Sequence, residues 1–331
     1  MANAYISGIG YYMPPKLLTN ADLEKMVDTT DEWIVEHSGI KSRHILDEDK
    51  FGSDMGIEAA KKAMENAGVS ADEIDMLICA NVTQDYDTPS NSCIIQQAVG
   101  ISGAAAMDLN AACTGFVYAL SVARAYITTG EYKNILIVAS EAMSKFVDWA
   151  DRKSCVLFGD GAGAAVVSAT DEDCGVLAMD IGADGRKGML LTIPHAKCTK
   201  EDIEKRMTKD NPHVFWMNGS EVFKFAVRTM VSSTMRVIEK AGKTKEDIDL
   251  LIPHQANARI IDASAKRLAM EDGKVINYIS DMGNMSAACI PIALARAVED
   301  RKIKDGDEIV IVGFGGGLTW ASAYIKWKSG K

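Results

Sequence analysis

Short unbroken apolar runs recur along the chain. "IDMLICAN" (74–81) and "NILIVAS" (134–140) have no polar alternation, the pattern of strands buried on both faces. "SDMGIEAAKKAMENAG" (53–68) instead spaces its apolar residues three and four apart and ends on glycine, which predicts a helix and its stop. Strands alternating with helices predict an α/β fold of mixed, mostly parallel sheets covered by helices.

The pattern repeats. "NAGVSADEIDMLICANVT" (66–83) matches "KAGKTKEDIDLLIPHQAN" (240–257), and "ALSVARAYITTGEYKNILIV" (119–138) matches "ALARAVEDRKIKDGDEIVIV" (293–312). Both pairs are offset by 174, as 240 against 66 and 293 against 119. One constant offset predicts a duplicated unit and two pseudo-symmetric halves, here divided as 1–173 and 174–331. Stretches such as "GADGRKG" and "HAKCTKEDIEKRMTKDNPH" make 175–235 read as a decorated connection within the second half.

Charge and composition narrow the function classes. A formal net charge of −10 over 331 residues argues against non-specific binding to nucleic acid or an anionic membrane. No apolar run approaches the roughly 20 residues of a membrane span. "MANAYISGIGYYMPP" lacks the basic-then-apolar start of a secretory signal, so a cytoplasmic protein is expected. The seven cysteines (Cys79, Cys93, Cys113, Cys155, Cys174, Cys198, Cys289) are odd in number and form no C-x-x-C pair. Reduced thiols are expected, with no disulfide frame and no metal site. The histidines are His37, His44, His195, His213 and His254.

Four stretches carry candidate chemistry. Cys113 in "DLNAACTGFVYAL" opens a predicted helix, where unpaired N–H groups and the helix dipole favour thiolate. Its ordinary reading is a small buried hydrophobe. His254 in "DLLIPHQANAR" ends a predicted strand, a usual place for catalytic groups, and the repeat aligns it with Ala80. Asn284 in "DMGNMSAACIPIALARAV" lies in the counterpart of the cysteine turn, since Ala287 aligns with Cys113. "VGFGGGLTWASA" (312–323) offers backbone N–H groups through three consecutive glycines. The duplication would let Cys, His and Asn converge where the halves meet. A papain-like hydrolase also uses Cys, His and Asn, and a thiol redox sensor would need a resolving cysteine.

Taken together, "TTDEWIVEHSGIKSRHI" (29–45), "AACTGF", "FGDGAGAAVV" (158–167), "PHQAN", "GNMSAA" and "GFGGGLTW" resemble the thiolase superfamily, and most closely its β-ketoacyl-acyl carrier protein synthase III branch. The resemblance spans the whole chain. It implies a thiolase-like fold, a homodimer and no cofactor, with a coenzyme A thioester as substrate. It implies decarboxylative condensation of an acyl-coenzyme A starter with malonyl-acyl carrier protein, or a specialised relative of that reaction in secondary metabolism. Cys113, His254 and Asn284 would be catalytic, and the backbone N–H groups of Cys113 and Gly316 would form the oxyanion hole. Trp33, Arg152, Gly219, Asn257 and Phe314 match coenzyme A positions. His37 and Lys41 stand where many members carry arginine, and Lys41 lacks the bidentate fork. Gln255, Ala256, Asn257, Ala258, Arg259, Lys266, Arg267 and Lys224 match the carrier-protein docking surface, and Arg228 falls four residues from Lys224. Thr88 in "YDTPSN" matches a residue that closes the acyl pocket across the dimer interface. Met207 or Met285 could fill the room that threonine leaves.

Overall fold

The computed structural model describes residues 2–195 and 214–330. Cys198, Met207 and His213 lie outside the described residues. The strands of the two main sheets are β1 (Asn3–Tyr12), β2 (Met76–Ala80), β3 (Ala105–Leu109), β4 (Asn134–Ala142), β5 (Asp160–Thr170), β6 (Gly175–Ala183), β7 (Leu250–Pro253), β8 (Glu308–Gly315) and β9 (Thr319–Lys326). The helices that matter below are α1 (Asp31–Ser38), α2 (Gly52–Ala67), α3 (Asn91–Ala98), α4 (Gly115–Thr129), α5 (Gly219–Lys240), α6 (Ala258–Leu268) and α7 (Cys289–Glu299). One main sheet runs β1-β5-β4-β2-β3 and the other β7-β8-β9-β6, beside two short two-stranded ribbons.

The apolar runs are strands covered on both faces. On β2, Met76, Ile78 and Ala80 face a core shared with Phe116 and Leu120 of α4, Ile290 and Leu294 of α7, and Ile309 and Ile311 of β8. Leu77 and Cys79 face the other way, against Met55, Ala59 and Ala63 of α2. Helices α4 and α7 therefore sit between the sheets, with α2 outside one sheet and α5 outside the other, where Val227, Met230 and Val237 meet Val310 and Val312.

The offset of 174 carries β2 onto β7, β4 onto β8 and α4 onto α7. It also carries the helical turn Ala112–Thr114 onto Ser286–Ala288. Even the backbone repeats: Ala112 has φ 48° and Ser286, its counterpart, φ 47°.

Two expectations need correction. The sheets are mixed but not mostly parallel. Only β2–β3, β2–β4 and β7–β8 are parallel, whereas β1–β5, β4–β5, β8–β9 and β9–β6 are antiparallel. Between β8 and β9 there is no crossover helix, only three residues, and so short a link forces a hairpin. Nor is 175–235 mere connection, because β6 and most of α5 lie in it. Asp180 hides the strand by interrupting its apolar pattern. It is nearly buried and is held by Arg236 at 2.8 Å, Lys240 at 2.9 Å and Ser233 at 2.8 Å, all from α5. Among the described residues no helix is long and apolar enough to cross a membrane.

Candidate active site

The turn that bears Cys113 is locked from below. Thr114 Oγ1 donates to the Ala111 carbonyl at 2.6 Å and lies 2.9 Å from Thr319 Oγ1 at the start of β9. Gly315, at the end of β8, lets that strand approach: a Cβ there would stand 2.8 Å from the Cys113 backbone N. Cys113 is buried. Burial pushes its thiol up to about 12, with a hydrogen bond from the Ser286 side chain acting in the opposite sense. Burial thus acts against the thiolate that the helix start favours.

His254 follows β7 with its backbone N–H on Val312 O at 2.8 Å. The ring is wholly buried, and neither Nδ1 nor Nε2 has a partner. Burial lowers its pKa to about 3, so the imidazole is neutral. Phe314 packs edge-on against it at 5.5 Å between centroids. Asn284 is oriented through its oxygen. Oδ1 accepts from Ser286 N–H at 2.9 Å and from Cys289 Sγ at 3.7 Å, which leaves the NH₂ group to donate elsewhere.

Cys113, His254 and Asn284 come together on one cavity of about 1150 Å³ that also includes Ser286, Phe314, Gly316 and Thr319. The same cavity reaches Trp33, His37, Gly219, Asn257, Lys224 and Arg259. Trp33 is stacked on His37 at 4.4 Å, and Arg152 Cζ lies 5.0 Å from the Trp33 ring. Asn257 ties the elements here, donating from Nδ2 to His37 O at 2.8 Å and capping α6 through Oδ1. Lys41 is exposed and does not line the cavity, whereas Lys153, which the sequence reading passed over, does.

The proposed docking residues divide. Arg259, Lys266, Arg267 and Lys224 are exposed, Lys224 being paired with Glu221 at 2.8 Å. Arg228 is exposed on the same helix. Ala258 is half-buried beneath Gly39. Gln255 and Ala256 are buried and cannot serve a docking face. Gln255 spends its amide on Pro253 O, Ile276 O and Tyr278 N–H, which brace the loop behind His254. Thr88 is exposed and does not line the cavity of its own chain, although Gln84, Asp85, Tyr86 and Asp87 do. Met285 is fully buried and off the cavity wall.

Two side chains escaped the sequence reading. Ser286 lies beside both Cys113 and Glu141 and acts to lower the pKa of both, and Glu141 is wholly buried at the end of β4. A lone acidic residue in "ILIVASEAM" was the available signal. Among the described residues no group of His, Cys, Asp and Glu is arranged to hold a metal ion.

Comparison with known proteins identifies a family. Residues 107–185 match the family described as 3-oxoacyl-[acyl-carrier-protein (ACP)] synthase III, and 238–327 match its C-terminal family. The chain is 48% identical to the β-ketoacyl-[acyl-carrier-protein] synthase III of Caldanaerobacter subterraneus subsp. tengcongensis, over 98% of both chains. It is likewise 48% identical to the β-ketoacyl-[acyl-carrier-protein] synthase III 1 of Bacillus anthracis, over 98% of this chain and 99% of that one. The crystal structure of 3-oxoacyl-[acyl-carrier-protein] synthase III from Aquifex aeolicus VF5 superposes with a TM-score of 0.91 at 42% identity, covering 98% of this chain and 100% of that one. With this extent of identity and the shared thiolase-like architecture, the chain belongs to the β-ketoacyl-[acyl-carrier-protein] synthase III family.

Proposed function

We propose that the protein condenses an acyl-coenzyme A starter with malonyl-acyl carrier protein, releasing carbon dioxide and making the 3-oxoacyl-acyl carrier protein that begins fatty-acid synthesis. The observation that carries this is a single cavity holding Cys113, a neutral His254 with both ring nitrogens unpartnered, and an Asn284 amide left free to donate.

In the first half-reaction the Cys113 sulfur attacks the thioester, and the N–H groups of Cys113 and Gly316 receive the oxyanion. Coenzyme A leaves by the arm of the cavity that passes Phe314, Asn257 and Gly219 towards Trp33, with Arg152 beside that ring. In the second half-reaction malonyl thioester loses carbon dioxide. The enolate oxygen that develops takes hydrogen bonds from His254 and from Asn284 Nδ2. The carbanion then attacks the acyl group on Cys113. Because decarboxylation generates the carbanion, no strong base is needed at this step. The exposed cations Arg259, Lys266, Arg267 and Lys224 receive the acidic carrier protein in a chain of net charge −10. The working form is a cytoplasmic homodimer, and the segment around Thr88 bounds the acyl pocket of the neighbouring subunit.

The papain-like arrangement fits poorly. There an asparagine orients the histidine, whereas Asn284 Oδ1 is taken by Ser286 and Cys289 and the His254 ring has no such partner.

Mass spectra of the intact protein and of its mapped peptides after incubation with acetyl-, isobutyryl- and hexanoyl-coenzyme A test the first half-reaction. Cys113 should be the acylated residue, and Cys113→Ser should abolish condensation. His254→Ala and Asn284→Ala should slow malonyl decarboxylation by about 10²–10³ while affecting acylation less. Acyl transfer to another cysteine, or equal loss of both steps in His254→Ala, would overturn the reading.

A further inference from the structure

Glu141 is an unusual group to find beside a nucleophile. It is wholly buried at the end of β4 and has hydrogen-bond donors around it instead of a cation. Oε2 accepts from Thr83 Oγ1 at 2.7 Å and from Val82 N–H at 3.1 Å, and Oε1 accepts from Ala287 N–H at 3.4 Å. Thr83 Oγ1 in turn accepts from Ala142 N–H at 2.9 Å, so its own proton is committed to the carboxylate. Ala287 N–H brings the carboxylate next to Ser286, whose hydroxyl acts to lower the pKa of both Glu141 and Cys113. Ser286 and Cys113 share the cavity wall. Ser286 is held there at φ 47°, the left-handed conformation that its pseudo-symmetric partner Ala112 also adopts. Left-handed backbone at a serine costs of order 1–3 kcal/mol and is retained only where the surroundings demand it.

We propose that Glu141 accepts the Cys113 proton through the Ser286 hydroxyl, so that the thiol becomes a nucleophile only as it attacks. This rests on the reading of Cys113 as the acylated residue. The step balances. The Cys113 S–H proton moves to Ser286 Oγ while the Ser286 proton moves to the Glu141 carboxylate. The sulfur lone pair forms the new C–S bond. The bond to coenzyme A breaks with its electron pair, and the departing thiolate takes a proton from water. Glutamic acid holds the transferred proton until condensation expels Cys113 as thiolate, when the relay runs backwards. Ser286 shares the cavity wall with the reacting sulfur, and Glu141 receives the proton through it.

The titratable neighbours of Glu141 are thiols: Cys79 on β2, Cys113 ahead of α4 and Cys289 on α7. All three are pushed upward by burial and stay protonated at neutral pH. Burial raises Glu141 itself to about 7, so the relay is open above that pH and closes below it.

The test is single-turnover acylation of the full chain by acetyl-coenzyme A, followed by quenched mass spectrometry between pH 5.5 and 9. The parent rate should fall about tenfold per pH unit below about 7 and level off above it. Glu141→Gln should be slower by about 10² at pH 8 and show no break near 7. Ser286→Ala cuts the relay at its other link, leaves the carboxylate its backbone donors, and should behave alike. Should Glu141→Gln fail to fold, Ser286→Ala decides alone. A folded variant of either kind that keeps the parent break, whether at full or reduced rate, overturns the proposal. Iodoacetamide alkylation of Cys113, which needs no thioester, should show the same break in the parent and lose it in the variants. If the parent takes an acyl group from no thioester while the alkylation break persists, the proposed function fails and the relay stands. If acylation proceeds and neither break is seen, the relay fails and the function stands.

Discussion

The proposed oxyanion hole can be perturbed without touching a catalytic side chain by the substitution Gly315→Ala. An added Cβ would lie 2.8 Å from Cys113 N, 3.1 Å from Thr319 Oγ1 and 3.3 Å from Ala111 O. Ordinary contact starts at 3.4 Å, so the Cys113 amide must recede by about 0.6 Å. It cannot recede freely, because Thr319 and Thr114 clamp the same turn to β9. Overpacking of this kind costs about 1–3 kcal/mol of stability. The catalytic cost is larger, since the displaced N–H is one of the two donors proposed for the oxyanion. Loss of one such donor costs about 10²–10³ in rate. Gly313→Ala on the same strand is the control. Its Cβ would press on Ile290 Cδ1 at 3.2 Å, the far end of a flexible side chain, and otherwise meets atoms at 3.6 Å or beyond. Acylation of both variants by acetyl-coenzyme A, timed by mass spectrometry, compares the two, with thermal melts to confirm folding. Gly315→Ala should lose at least about 10²-fold in acylation while Gly313→Ala stays within about tenfold of the parent. A folded Gly315→Ala that acylates within about twofold of the parent would refute the placement of the oxyanion at the Cys113 amide.

His254 should also leave a mark on stability. Its folded pKa of about 3 lies below the unfolded value of 6.5, so the unfolded chain binds the proton first and stability falls as pH drops from 6.5 towards 3. Glu141 has the opposite sign between 7 and 4.5 but is common to parent and His254→Asn, so it cancels in their difference. That difference, from urea midpoints, should move by about 2 kcal/mol in favour of His254→Asn between pH 7 and pH 5, and a constant difference would contradict a buried neutral ring. Arg259→Glu should weaken the malonyl-carrier substrate by about tenfold more than malonyl-coenzyme A, with the gap closing as salt rises. Equal loss with both donors would assign Arg259 to the cavity and not to docking. Thr88→Phe should narrow the starter range towards acetyl, each lost buried methylene removing about 0.8 kcal/mol of acyl binding. Strict acetyl preference in the parent, measured by competition with isobutyryl- and hexanoyl-coenzyme A, would show that Thr88 does not bound the pocket.

Much of the architecture was legible in the chain because it is written in local pattern. An apolar run buried on both faces looks the same whatever sheet it joins, so "IDMLICAN" and "NILIVAS" announced β2 and β4. Duplication then located their partners: one offset marked β7, β8 and the Ser286–Ala288 turn before any coordinate did. Cys113, His254 and Asn284 were visible because each lies at the end or turn of such a unit. What depends on distance through space was hidden. Periodicity cannot distinguish a parallel neighbour from an antiparallel one, and the β8–β9 hairpin made the sheets less parallel than the helix–strand alternation implied. Asp180 concealed a strand because the cations that neutralise it, Arg236 and Lys240, come from a helix more than fifty residues away. Gln255 read as a surface residue in "PHQAN" because nothing local says that Ile276 and Tyr278 will use its amide. The state of Cys113 turned on the same difference. Its helix start is a sequence feature that favours thiolate, but burial in the tertiary structure pushes the thiol the other way. The Glu141 carboxylate and Ser286 are 145 positions apart, and only the packing of β4 against the second-half turn brings a buried carboxylate beside the turn that faces Cys113.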